Sequence, residues 1–130
     1  MRYALVLLLA CGMAVALQEP GRREGGPRLE ILEMAAARAE NRLTVDGRLK
    51  NAWDRPLTKV VLVVELLDSD RKLIGQRRGA IEPELLEPGE EAAFHFYVPL
   101  QPRSIQVRLA AEAARVPYVE VLKPGPYPIE

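Results

Sequence analysis

The chain is short of the residues that carry chemistry. Its 130 residues include one cysteine, one histidine and one tryptophan, and serine stands only at positions 69 and 104. A single cysteine cannot close a disulfide within the chain. A lone histidine cannot make a zinc site, which takes three or four His, Cys or carboxylate ligands. Neither serine lies in the Gly-x-Ser-x-Gly context of a hydrolase elbow. Net charge is missing too: 18 basic residues balance 18 acidic ones and are spread along the whole length. A nucleic-acid binder needs a basic footprint to displace counterions, so that class is set aside. The inventory points to a protein that is not an enzyme and carries no cofactor or metal.

Long apolar runs are absent apart from one. After Met1-Arg2-Tyr3, the stretch ALVLLLACGMAVAL continues to Leu17 without a charge, and then turns abruptly polar as QEPGRREGGPR. A membrane-spanning helix needs about 20 apolar residues, and this run is shorter. Ala14-Val15-Ala16 fits the small-x-small rule of signal peptidase. Residues 1–16 therefore read as a secretory signal helix, which places the mature protein outside the cytoplasm, secreted or periplasmic in the cell envelope. Leu8-Leu9-Ala10-Cys11 offers a second outcome, since it resembles a bacterial lipobox in which Cys11 would be acylated. The apolar stretch before Cys11 is short for that, and the residues after it stay apolar. Contact with a membrane is expected only through the signal segment or that lipid anchor. Residues 17–130 then have to be held by a hydrophobic core alone, which is feasible at that size.

Residues 17–28 are rich in Gly, Pro and charge and read as a flexible leader. LEILEMAAARAE, next in order, has helix-forming composition, yet Leu29 and Ile31 could open a strand. RLTVDGRLKN, residues 42–51, contains Asp46-Gly47, a strong hairpin signal. A turn there would pair Val45 with Arg48, Thr44 with Leu49 and Leu43 with Lys50. Every pair would set an apolar side chain beside a polar one on the same face. Read straight through, Leu43, Val45, Gly47 and Leu49 share one face and the polar residues the other, so the chain is expected to run on as a strand. Gly47 then faces inward, where it makes room for a bulky neighbour or a bulge.

Thr58 to Leu67 is nearly continuous Val and Leu, as in a central strand covered on both faces. Lys72 to Ile81, broken by Gly75 and Gly79, reads as an edge strand. Glu91 to Val98 and Ser104 to Ala111 alternate, and PYVEVL adds a last strand. About seven short strands predict an all-β, antiparallel sandwich over residues 29–122, followed by a proline-rich tail, 123–130, expected to fray.

Gly47-x-Leu49-x-Asn51, Val64-Glu65-Leu66-Leu67-Asp68, and Leu86-x-Pro88-Gly89 with Phe94 and Phe96 after it resemble the FxLYD domain over residues 29 to 112. Val64 stands where that family has Phe and Leu67 where it has Tyr, which leaves room for a relative such as the desiccation-associated domain. The resemblance implies an immunoglobulin-like β-sandwich of secreted or membrane-attached prokaryotic proteins, and favours strand for Leu29 to Met34. It brings no catalytic residues.

Few side chains remain as candidates for function. His95 turns away from Phe94 and Phe96 and is expected at a solvated or edge position. Asp68-Ser69-Asp70 could donate oxygens to calcium, but Asp and Ser at a turn more often cap their own backbone. Arg71, Lys72, Arg77 and Arg78 gather on the expected edge strand, where they either guard against strand addition or meet an anionic partner. Trp53, in a turn after a strand end, either plugs the core or faces a ligand. These five are the candidate interaction surface, and the expected partner is a protein whose identity the sequence does not name.

Overall fold

A computed structural model describes residues 25–130. The segment read as a signal, Cys11 and most of the stretch read as a leader lie outside the described residues. The described chain is all β, with no helix. Ten strands follow in order: β1 Arg28–Ala39, β2 Arg42–Asn51, β3 Leu57–Thr58, β4 Val61–Leu67, β5 Leu73–Ala80, β6 Leu85–Leu86, β7 Glu91–Pro99, β8 Gln106–Glu112, β9 Glu120–Leu122 and β10 Tyr127–Pro128. One four-stranded sheet has the order β7-β2-β1-β9, the other β10-β8-β4-β5, and β3 and β6 form a small separate pair. Inward side chains of both large sheets make one core, with Leu29, Leu43, Val45 and Leu49 from the first meeting Leu62, Val64, Leu66, Val107 and Leu109 from the second.

Residues 42–51 run through as expected, antiparallel to β1 on one side and β7 on the other. The reversal lies earlier, at Glu40-Asn41, where Glu40 takes a left-handed φ of 59°. Both uses foreseen for Gly47 are realised. It pairs directly with Phe94, and a Cβ there would lie 2.6 Å from the Phe94 ring and 2.2 Å from the Glu33 carbonyl oxygen. That carbonyl belongs to a bulge, because the β1–β2 register slips between Ile31 and Glu33. The slip reverses the parity of β1: Leu29 and Ile31 face in before it, Met34 and Ala36 after it. Without it Glu33 would point into the core; with it, Glu33 reaches out to Arg48 at 2.8 Å.

β4 lies between β8 and β5, and its apolar run is buried on both faces except at Val61 and Glu65. β5 is an edge strand, as read. Two outcomes differ from the sequence reading. The tail does not fray. Tyr127 and Pro128 pair with β8, Ile129 bridges Ala36 of β1, and the Glu130 amide donates to the Ala36 carbonyl at 2.9 Å. The apolar Tyr127 ring and Ile129 pack on the core, so the last residues stitch one sheet to the other. The leader also ends in order: the Glu120 amide donates to the Pro27 carbonyl at 3.0 Å, and β1 begins at Arg28.

At the opposite edge the sheets meet through a second glycine. A Cβ on Gly79 of β5 would fall 2.2 Å from the Phe96 ring of β7. Gly79→Ala is expected to destabilise the fold by about 1–3 kcal/mol through overpacking. Gly79→Ala/Phe96→Leu should recover part of that loss, because the added methyl then meets a smaller side chain. Urea denaturation of the two variants checks both statements.

Candidate functional site

The residues singled out from sequence fall into two separate regions. Arg71 and Lys72 sit in the turn between β4 and β5, at one end of the sandwich. There the Asp68 carboxylate accepts the Asp70 and Lys72 amides at 2.8 and 2.9 Å. The turn is thus capped by its own aspartate, as expected for that sequence, and these backbone hydrogen bonds, the one from Lys72 foremost, hold the Asp68 carboxyl below its ordinary range. Arg77 and Arg78 lie on β5 but on opposite faces, since neighbours in a strand alternate. Arg78 bridges across β4 to Glu112 of β8 at 2.6 Å, over the buried Val63. The four cations therefore do not make one patch.

Trp53 stands at the other end. Half-buried, it packs against the core, donates its indole N–H to the Gly25 carbonyl at 2.6 Å, and carries the Arg55 guanidinium 5.6 Å from its ring. It plugs the sandwich and ties down the end of the leader. What positions it was not singled out as functional from sequence. Asn51 is fully buried at the end of β2. Its amide group donates to the carbonyls of Arg55 and Leu86, both at 2.9 Å, and its carbonyl accepts the Trp53 amide at 2.8 Å. The Asn51 main chain adds bonds to Glu90 and Gly89. One side chain thus fixes the Trp53 turn and β6, while its backbone anchors the Pro88-Gly89 turn.

The outer face of the first sheet carries a cross-strand row that sequence spacing could not assemble. Arg48 of β2 lies between Glu33 of β1 and Glu91 of β7 and bonds both. One row on, Asp46 contacts the His95 ring, His95 meets Tyr97 edge to face with centroids 4.8 Å apart, and the Arg42 guanidinium stacks 3.9 Å from the Tyr97 centroid. His95 is at an edge-strand position and half exposed, as expected. Arg48 pulls the Glu33 carboxyl below its ordinary range, Arg78 does the same to Glu112, and Lys123 to Glu30. Among the described residues, no three His, Cys, Asp or Glu side chains gather in a way that could hold a metal ion. The arrangement presents paired charges and aromatic rings on one outer face.

No protein-family model matches the chain, and no curated protein matches it. Among solved structures, that of a β-glucosidase from Kluyveromyces marxianus is similar at 17% identity with a TM-score of 0.37, over 75% of this chain and 15% of that one. The chain spans a small part of that enzyme's length, and a likeness at this level carries no argument.

Two expectations follow from this geometry. Asn51→Asp removes both side-chain donors and leaves two carbonyls facing a buried carboxylate. It should cost about 2–4 kcal/mol and shift Trp53 fluorescence to the red, read together in a urea titration. The depressed carboxyls set the pH profile. Each binds its proton more weakly folded than unfolded, so their stabilisation is complete above the unfolded value and is lost as pH falls through the folded ones. The denaturation midpoint should be level above about pH 5.5 and fall below about pH 4.3, with a smaller fall in Glu112→Gln.

Proposed function

We propose that this chain is an exported, non-enzymatic, immunoglobulin-like β-sandwich that serves as a binding or accessory module in the cell envelope. The connectivity supports the immunoglobulin-like reading. β1, β2, β7 and β9 share one sheet with β2 between β1 and β7, β4, β5, β8 and β10 share the other, and the chain crosses between sheets after β2, β5, β7, β8 and β9, in keeping with the sandwich pattern of that class. The motif residues that resemble the FxLYD domain also converge in space: the Asn51 side chain holds the Leu86 carbonyl, and the Gly89 amide donates to the Asn51 carbonyl at 2.8 Å.

One observation carries the functional reading: a signal-like apolar segment ending in Ala14-Val15-Ala16 precedes a rigid scaffold. The scaffold's outer faces are tiled with paired charges and exposed aromatics. Binding would come from surface complementarity, with a protein as the partner class. A second reading, a structural lipoprotein tethered through Cys11, is favoured by the Leu8-Leu9-Ala10-Cys11 run. Mass spectrometry of the mature N-terminus in fractionated cells separates them. A free terminus near Leu17 in the soluble envelope fraction is expected. An acylated Cys11 would replace release with tethering, and an intact Met1 in the cytoplasm would overturn export altogether.

A further inference from the structure

We infer that β7 is a self-pairing edge, through which two copies of the chain join their first sheets antiparallel about a two-fold axis at His95. This inference does not depend on export or on the proposed role. A sheet edge presents unpaired amides and carbonyls, and proteins blunt it with short strands, charge, proline or glycine-marked irregularity. Three of the four edges of the two large sheets are blunted in those ways. β9 and β10 are three and two residues long. β5 carries Arg77 and Arg78 and is interrupted by Gly75 and Gly79. β7 is nine residues long, pairs among the described residues only with β2, and has no lysine, arginine or glycine and no proline before its last residue.

The sequence of β7, EAAFHFYVP, is also complementary to itself in reverse. With His95 on the axis, each residue meets the one equally far on its other side. Ala93 then faces the second copy's Tyr97 on the outer surface, and Ala92 faces Val98 on the inner. Phe94 faces Phe96, extending the stacked pair whose rings lie 5.8 Å apart within one copy. Small residues oppose large ones, aromatic opposes aromatic, and the end residue Glu91 meets uncharged Pro99, so no like charges are opposed along the flanks. The two His95 rings meet at the axis, each backed by its own Asp46. Tyr97 is 48% exposed in the single copy and gains a neighbour. The union is a C2 dimer with one continuous eight-stranded sheet, four strands from each copy. A contact limited to one strand pair is smaller than the roughly 1,600 Å² of a standard interface, so the dimer is weak and dependent on concentration.

Two measurements on the full chain test this. The first is sedimentation equilibrium from about 10 μM to about 1 mM, where micromolar-or-weaker association shows. The native chain should pass from monomer to dimer. Ala93→Lys/Tyr97→Lys sets lysine against lysine twice and should weaken association at least about tenfold, whereas Ala93→Lys/Tyr97→Glu sets lysine against glutamate twice and should restore it. The second is cross-linking in a Cys11→Ser background. His95→Cys places two thiols on the axis, with Cα atoms about 4.5–5.5 Å apart, within disulfide range, and should form a covalent dimer under mild oxidation. Ala93→Cys in the same background puts them about 13 Å apart along the strands and should not. A chain that stays monomeric at every concentration overturns the proposal. So does a dimer indifferent to the paired lysines, or one that links at 93 as readily as at 95.

Discussion

The structure depends on two places where a side chain is missing. Phe94 lies across Gly47 within the first sheet, and Phe96 lies against Gly79 between the sheets. These are the only two phenylalanines of the chain; Phe94 is the one aromatic of the buried cluster among the described residues, and Phe96 packs against it with Trp53 and Tyr127. A methyl at either glycine would collide with a ring, so the rings could not sit where they close the open side of the sandwich. The same absence at Gly47 admits the Glu33 carbonyl and with it the bulge in β1, which turns a carboxylate out of the core and into the Arg48 ion pairs. Packing at one glycine thereby decides which charges appear on the outer face.

Much of this architecture was legible in the residues, because alternation is a direct image of a half-buried strand. β2, β4 and β7 could be traced from Leu43-Val45-Leu49, from the Val-Leu run, and from Phe94-Phe96-Val98. β1 could not, and the bulge is the reason. Its inward residues have odd numbers up to Ile31 and even numbers from Met34, so neither a period of two nor a helical period fits the segment as a whole. The tail misled for a different cause. Three prolines and a glycine in KPGPYPIE signal an irregular end, while the two residues that hold it, Tyr127 and Ile129, gain their partners only from β8 and β1, far away in sequence.

The site was less legible than the fold. Trp53 could be placed at the mouth of the core by its position after a strand, but the side chain that sets it there is Asn51, an ordinary residue in a strand-end context. Its importance arises from three backbone partners between Trp53 and Leu86 that no local pattern brings together. The row Asp46, His95, Tyr97 and Arg42 has the same character, being built across strands by register. In contrast, the basic residues of β5 are conspicuous in the sequence and disperse in space, because neighbours on a strand point to opposite faces.

The tail strand has a consequence for how the molecule comes into being. β1 pairs with β9 in parallel and is bridged again by Ile129, so the first described strand finds its last neighbours about ninety residues later in the chain. Such distant pairing is slow to form and waits for residues 120–129 to follow. A polypeptide emerging head first from a ribosome therefore leaves β1 without these neighbours until residues 120–129 are free. Synthesis and closure of the first sheet are in this way kept apart in time by topology alone.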